Sequence, residues 1–436
     1  MKISIENFKS IRQVCEFEIK PMTILSGVNS SGKSSLIQFI LLLKQTLADS
    51  STSNVLSIDS HSFKIQTYGQ NADNLISFQL SLNKSEIEIP TNFAGAQSVL
   101  IELSYKLVEN QVEIAKFSTK IYTDKDEAKW FIILNLKNDG NYNIKVSNPS
   151  IFVQEDVVEK EGSVDFVAMI PQIVTDEEGQ KFPFKLDWVN NAVSKIFELI
   201  YYVGPVRQQP EESYQKNNAS NYVGSKGEMT AQILKEHESK EVVYFPLNNK
   251  EQKNDTLLNI VNYWLCKEFG IGGKIFSEKG DEIYRIILED DTGLKVNIKH
   301  VGYGISQVLP IIVQGLLMPE NGILIIEQPE IHLHPKIQSL LYDFLYSLTL
   351  SNKKVIVETH SNHFVTRMRR RIAEDESSQM DDKINMTFIE YGLFRHLEFD
   401  DYGTMLHYYP KDFIEVPSEE MRAIIQAQSK KRRKNG

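Results

Sequence analysis

The chain has 436 residues, of which 41% are hydrophobic, 24% charged and 10% aromatic. That length allows one large or two to three ordinary domains at roughly 150 residues each, and the composition excludes wholesale disorder and the low-complexity and fibrous classes. With 48 basic and 58 acidic residues the formal charge is −10, which disfavours a cation-coated surface but leaves room for a local nucleic-acid track.

Cys15 and Cys266 are the two cysteines, too few for a disulfide scaffold or a cysteine-rich zinc site, so a reduced, cytoplasmic setting is expected. The amino terminus alternates apolar and polar residues without the continuous apolar core of a signal peptide. No later run has the length and polarity of a membrane span, so no intrinsic membrane segment is expected.

Residues 1–25 read as two short strands, followed at once by GVNSSGKS and then by SLIQFILLLKQTL, which has helical apolar spacing. Strand, glycine-rich loop and helix in that order form the context a P-loop needs. Gly27, Asn29, Ser30, Ser31, Gly32, Lys33, Ser34 and the adjoining Ser35 are the candidate cofactor-binding residues. The glycines admit close backbone approach, successive amides surround phosphate oxygens, Lys33 supplies positive charge and the Ser34 hydroxyl can coordinate magnesium.

Between about 60 and 180, runs such as LISFQLSL, SVLIELSYKL and WFIILNL alternate with Asn, Asp, Gly and Lys turns, the pattern of an antiparallel, strand-rich insertion. Residues 185–200 and 253–268 have helix-compatible spacing, and a strand pair is expected around GGKIFSEK and EIYRIILED. NGILIIEQPEIHLHP and KKVIVETHSNH then give two strand ends carrying polar groups, like the ligand-facing edge of an open α/β sheet. Glu327 follows four apolar residues, where a buried strand can hold a carboxylate next to magnesium. Residues 386–409 suggest a terminal hairpin, and KKRRK at 430–434 is a basic tail.

With these motifs in hand, the chain resembles the ABC-type ATPases of the SMC, RecF and Rad50 group, especially bacterial stand-alone ATPases with a C-terminal domain of unknown function. The resemblance spans nearly the whole chain, with its strongest matches at both ends. In it GVNSSGKS is similar to Walker A, ILIIEQP to Walker B and VGYGISQVLP to a degenerate signature loop that reaches across an ATP-bound dimer. It implies nucleotide-facing roles for Gly302, Gly304, Ser306 and Gln307, and a switch role for His360, with Glu358 and Ser361 orienting that loop. Arg207, in YYVGPVRQQPEESY, resembles an Arg-Pro-Tyr element that contacts phosphate or holds the insertion to the nucleotide lobe; a surface ion pair is the alternative.

The family often has an acid directly after the Walker B carboxylate, where it polarises water, and this chain has Gln328. An amide orients water but does not keep a proton, so Lys33, Glu327, Gln328, Glu330 and His360 form the candidate catalytic set, with Glu330 assisting or a partner triggering slow turnover. Ser34 and Glu327 are the candidate metal ligands. A zinc site at Glu330, His332 and His334 is the competing reading, although that spacing lacks the HExxH helix geometry.

The resemblance implies an α/β fold: an ABC-type P-loop ATPase head with an antiparallel β-rich insertion and a short C-terminal β-containing extension. Its expected segments are a P-loop lobe (1–60), the insertion (61–184), a helical and connecting lobe (185–300), a signature, Walker B and switch-loop lobe (301–385) and the extension with its tail (386–436). The expected function is an ATP- and magnesium-dependent dimeric switch in DNA maintenance or antiviral defence, with a separately encoded nuclease or other effector. A noncatalytic ATP-dependent scaffold is the alternative. Arg367, Arg369, Arg370, Arg371 and the tail are candidates for touching DNA or another nucleic acid; a solvated helix face is the other reading.

Overall fold

The structure, a computed structural model, describes residues 1–28, 31–48, 56, 60–71, 73–91, 93, 95–123, 128–147, 157–181, 186–218, 221–247, 251–377 and 380–406. Asn29, Ser30 and the 430–434 tail lie outside them. The chain forms two compact units. Unit 1 comprises Met1–Ile19, Ser30–Ile200 and Glu390–Phe394; unit 2 comprises Lys20–Asn29, Tyr201–Ile389 and the described part of Arg395–Gly436.

Unit 1 is built on a nine-stranded sheet with Ile170–Asp176 at one edge and Cys15–Glu18 at the other. Every pairing along it is antiparallel. The alternation in ISFQLSLN buries Ile76, Phe78, Leu80 and Leu82 on one face, as a period of two requires. Helix α1 (Lys33–Ala48) is part of this unit. Its Phe39 ring packs edge-on between Phe8 at 5.1 Å and Phe78 at 5.3 Å, an arrangement aromatic quadrupoles favour.

Unit 2 carries most of a six-stranded sheet. Its strands are β1 (Met22–Gly27), β2 (Ile200–Val203), β3 (Ile323–Glu327), β4 (Lys354–Glu358), β5 (Ile384–Glu390) and β6 (Leu393–Leu397), in the order β2-β3-β4-β1-β5-β6. The pairs β3/β4, β4/β1 and β1/β5 are parallel. Their near-continuous apolar sequences suit a parallel sheet covered on both faces. Three further helices matter here: α2 (Tyr303–Leu317), α3 (Pro335–Thr349) and α4 (Asn362–Ala373). From Ile305 to Leu317 every residue of α2 is buried, so this helix runs through the core.

The expected α/β head and its antiparallel β-rich sheet are both present. Three details differ from the sequence reading. The first 25 residues contain three strands, because MTILSG forms β1 in the parallel sheet. Lys253–Thr256 is a strand paired with Glu241–Tyr244, and the helix starts only at Leu257, where the Thr256 side chain accepts the Asn259 N–H. At the carboxyl end, β5 is a buried strand of the main sheet beside β1, and β6 continues that sheet.

Candidate nucleotide site

Glycine is required twice around the P-loop. At Gly27, φ is 146° and a Cβ would stand 2.0 Å from the Ile389 carbonyl oxygen, both in unit 2. At Gly32, φ is 111° and a Cβ would stand 2.8 Å from Ser10 Oγ, both in unit 1. The backbone amides of Ser35 and Leu36 bond to the Gly32 carbonyl, opening α1. Lys33 is 4% exposed. Ser35 Oγ lies 3.0 Å from Ser10 Oγ, so its hydroxyl is turned toward the first loop of the chain. Ser31 Oγ is buried and has no hydrogen-bond partner in the structure. A buried hydroxyl of that kind calls for a partner, and a phosphate oxygen supplies one.

In unit 2 the strand register brings Glu327, Glu358 and Leu25 side by side at the carboxyl ends of β3, β4 and β1, the edge where parallel α/β sheets take ligands. Backbone bonds tie these ends together. Gln328 N–H donates to the Glu358 carbonyl at 2.8 Å, and Thr359 N–H to the Leu25 carbonyl at 2.9 Å. Ser26 Oγ donates to the Thr359 carbonyl at 3.1 Å.

The turn after Glu327 is equally fixed. Gln328 has φ 45° and His332 φ 62°, conformations side-chain-bearing residues adopt only where the surroundings hold them. Glu330 accepts the Thr359 hydroxyl at 2.8 Å on one oxygen and the His360 N–H at 2.7 Å on the other. Ser361 accepts the Phe364 N–H and donates to Gln338, capping α4. His334 Nδ1 accepts the Lys336 N–H at the start of α3. Among the described residues no three His, Cys, Asp or Glu side chains group to hold a metal. The zinc reading of Glu330, His332 and His334 is therefore set aside, since two of the three groups are engaged in building the turn.

Arg207 corrects the surface-ion-pair alternative. It is 4% exposed, and its guanidinium donates to the carbonyls of Gly204 at 3.1 Å, Glu327 at 3.3 Å and Gln328 at 2.8 Å, and to Gln307 Oε1 at 3.4 Å. Burial lowers its pKa to about 10, against the opposing pull of the Glu330 charge. The guanidinium thus joins the turn after β3 to α2. Gly304 reinforces the same junction, because a Cβ there would meet the His332 carbonyl at 3.2 Å.

The signature-like segment is the start of α2, with Gly302 at the helix cap and Gly302 and Tyr303 exposed. Ser306 and Gln307 are buried, and the Ser306 hydroxyl donates to the Tyr303 carbonyl at 2.7 Å. The arginines of α4 are engaged within unit 2. Arg367 and Arg371 both reach Asp343 at 2.6 Å, Arg370 pairs with Glu374 and Arg369 donates to the Gly403 carbonyl.

Sequence reasoning missed Tyr202, whose hydroxyl donates to Glu327 Oε1 at 2.7 Å. Burial and the bonded carboxylate both raise the Tyr202 pKa, so the phenol stays a donor. The tyrosine pair before Gly204 and Pro205 was the only local sign of it. A serine hydroxyl such as that of Ser34 and a carboxylate such as that of Glu327 are each hard oxygen donors, the chemistry that suits magnesium.

A parallel sheet with a glycine-opened phosphate loop at one strand end and an acid at the next-but-one defines a P-loop ATPase head. The chain belongs to the AAA ATPase domain family, which it matches over residues 1–365, and it is an ATP-binding protein of that class. No curated protein matches it. Among solved structures it is similar to an SMC head bound to the C-winged helix domain of ScpA, at 10% identity and TM-score 0.43, covering 92% of this chain and 97% of that one. It is also similar to the SMC head domain from Thermotoga maritima, at 10% identity and TM-score 0.39 over 92% and 98%. A third is an Smc head with an extended coiled coil bound to the C-terminal domain of ScpA derived from Pyrococcus furiosus, at 9% identity and TM-score 0.41 over 98% of each chain. No helix among the described residues is long and apolar enough to cross a membrane.

Proposed function

We propose that the protein is an ATP-binding and slowly ATP-hydrolysing switch that works as a pair of copies. Gly27, Ser31 and Gly32 shape the phosphate cradle, the same motif offers Asn29, Ser30 and Ser35 as further phosphate-binding candidates, and Lys33 offsets charge on the terminal phosphate. Ser34 and Glu327 would hold magnesium, which when bound stabilises charge on the transferring phosphoryl group. The observation that carries this reading is the Glu330 clamp, which makes the turn after β3 and the His360 loop one hydrogen-bonded piece. In this reading Glu330 is a positioning residue, His360 meets the terminal phosphate, and the Gln328 amide orients water without taking its proton. The start of α2, exposed at Gly302 and Tyr303, with Gly304, Ser306 and Gln307 behind them, faces the nucleotide of the second copy. The resemblance to the SMC and RecF group supports DNA maintenance or antiviral defence in the cytoplasm as the setting, with a separate effector.

Magnesium-dependent phosphate release, with and without double-stranded DNA, tests this reading. Lys33→Ala is expected to abolish turnover, and Gln328→Glu to raise it by up to about 100-fold by restoring a proton acceptor. The lack of such an acceptor at Gln328 also favours the scaffold reading. ATP-dependent pairing of the wild-type protein with no phosphate release would select the scaffold.

A further inference from the structure

Glu327 is 6% exposed at the end of an otherwise apolar strand. A glutamate there has three side-chain torsions to fix, and each unfixed one weakens its grip on a metal through lost entropy. Tyr202 lies on β2, the neighbour of β3 in the sheet, and its hydroxyl meets Glu327 Oε1 at 2.7 Å. The tyrosine is itself held, because the Tyr222 hydroxyl donates to its carbonyl at 2.5 Å. Two residues beyond, the Gly204 N–H donates to the Ser225 carbonyl and the Gly204 carbonyl accepts from Arg207. The phenol is thus mounted on backbone fixed at several points.

We propose that Tyr202 is a positioning residue for magnesium, fixing the direction in which the Glu327 carboxylate faces. The proposal rests on the reading of Glu327 as a magnesium ligand. A charge-assisted O–H···O bond both orients the carboxylate and partly balances its charge before the cation arrives. Partners that orient a metal ligand in this way typically change metal affinity by about 10–100-fold when removed.

The test is an equilibrium titration of magnesium into the full-length protein with a fluorescent ATP analogue as the probe. Tyr202→Phe keeps the ring and removes the hydroxyl, and is expected to raise the magnesium concentration for half-maximal binding by about 10–100-fold, with the difference vanishing in EDTA. Tyr222→Phe, which removes a bond to the Tyr202 backbone and leaves the Tyr202 hydroxyl in place, is expected to shift it far less. Glu327→Asp retracts the carboxylate from the phenol and should reproduce the loss, which keeps the test decisive should Tyr202→Phe fail to fold. An unchanged magnesium requirement in Tyr202→Phe or in Glu327→Asp, alongside a clear loss in Glu327→Gln, overturns the positioning role alone. Wild-type binding indifferent both to magnesium and to Glu327→Gln overturns the magnesium reading, and this inference with it.

Discussion

At the scale of single residues, Arg207 makes unusual demands on unit 2, because it takes a full charge to 4% exposure and bonds to carbonyl and amide oxygens rather than to a carboxylate. Several weak acceptors in a fork geometry suit guanidinium better than ammonium, since the planar group presents its donors in fixed directions. Its removal leaves the buried Glu327 carbonyl and the half-buried Gln328 carbonyl without that donor, and an unmet buried acceptor costs about 1–3 kcal/mol. Arg207→Met, of similar length, is therefore expected to destabilise unit 2 by about 2–4 kcal/mol, while Arg207→Lys recovers only part of the loss. Urea denaturation reads both variants, and equal stability of Arg207→Met and wild type would show that the guanidinium bonds are not needed to hold the turn. The same residue illustrates what a sequence leaves hidden. Lys33 and Ser34 are legible because a P-loop packs its chemistry into eight consecutive positions, whereas Arg207 and Gln328 stand 121 residues apart and Tyr202 and Glu327 stand 125 apart.

Among the elements, α2 has the least freedom, being buried along thirteen consecutive residues and interrupted by Pro310. Proline has no N–H to return to the Ser306 carbonyl and its ring presses on the preceding turn, so the helix needs an external surface to hold its course there. Gly227 provides that surface. It has φ 74°, and a Cβ on it would stand 2.5 Å from Pro310 Cγ. Gly227→Ala thus combines a left-handed backbone penalty of about 1–2 kcal/mol with an overpacking cost of about 1–3 kcal/mol. Gly293 has φ 84° with nothing within 4 Å of its Cβ position, and Gly293→Ala should show the backbone penalty alone. The difference between the two variants in chemical denaturation isolates the contact with α2. Equal losses would mean that α2 yields at Pro310 without cost. Read locally, the glycines at 302 and 304 make the signature-like segment a loop, whereas in the structure the helix already starts at Tyr303 with Gly302 as its cap.

For the molecule as a whole, the strands and the phosphate loop were legible wherever pattern and chemistry are local, as in ISFQLSLN or GVNSSGKS. The assembly of the parallel sheet was not, because β1 is flanked by β4 and β5, strands that begin more than 300 residues later. Lys353, directly ahead of β4, reports on the buried end of α2. Its ammonium group is buried and donates to the carbonyls of Gly315 and Leu316 at 2.9 Å each. Burial, with the charge of Lys240 adding to it and Glu320 opposing, lowers its pKa from 10.5 to about 8. Below about pH 8 both folded and unfolded chains carry this proton, and the burial penalty is present in full. Between about 8 and 10.5 the unfolded chain holds more of the proton than the folded one, so stability rises with pH through that window. The rise attributable to this group is at most about 3 kcal/mol. Lys353→Met removes the titration while leaving the other groups of the window in place. The stability of wild type relative to Lys353→Met should therefore climb from pH 8 to pH 10 in urea titrations; a flat difference would show that Lys353 titrates alike in both states and that this end of α2 is open to water.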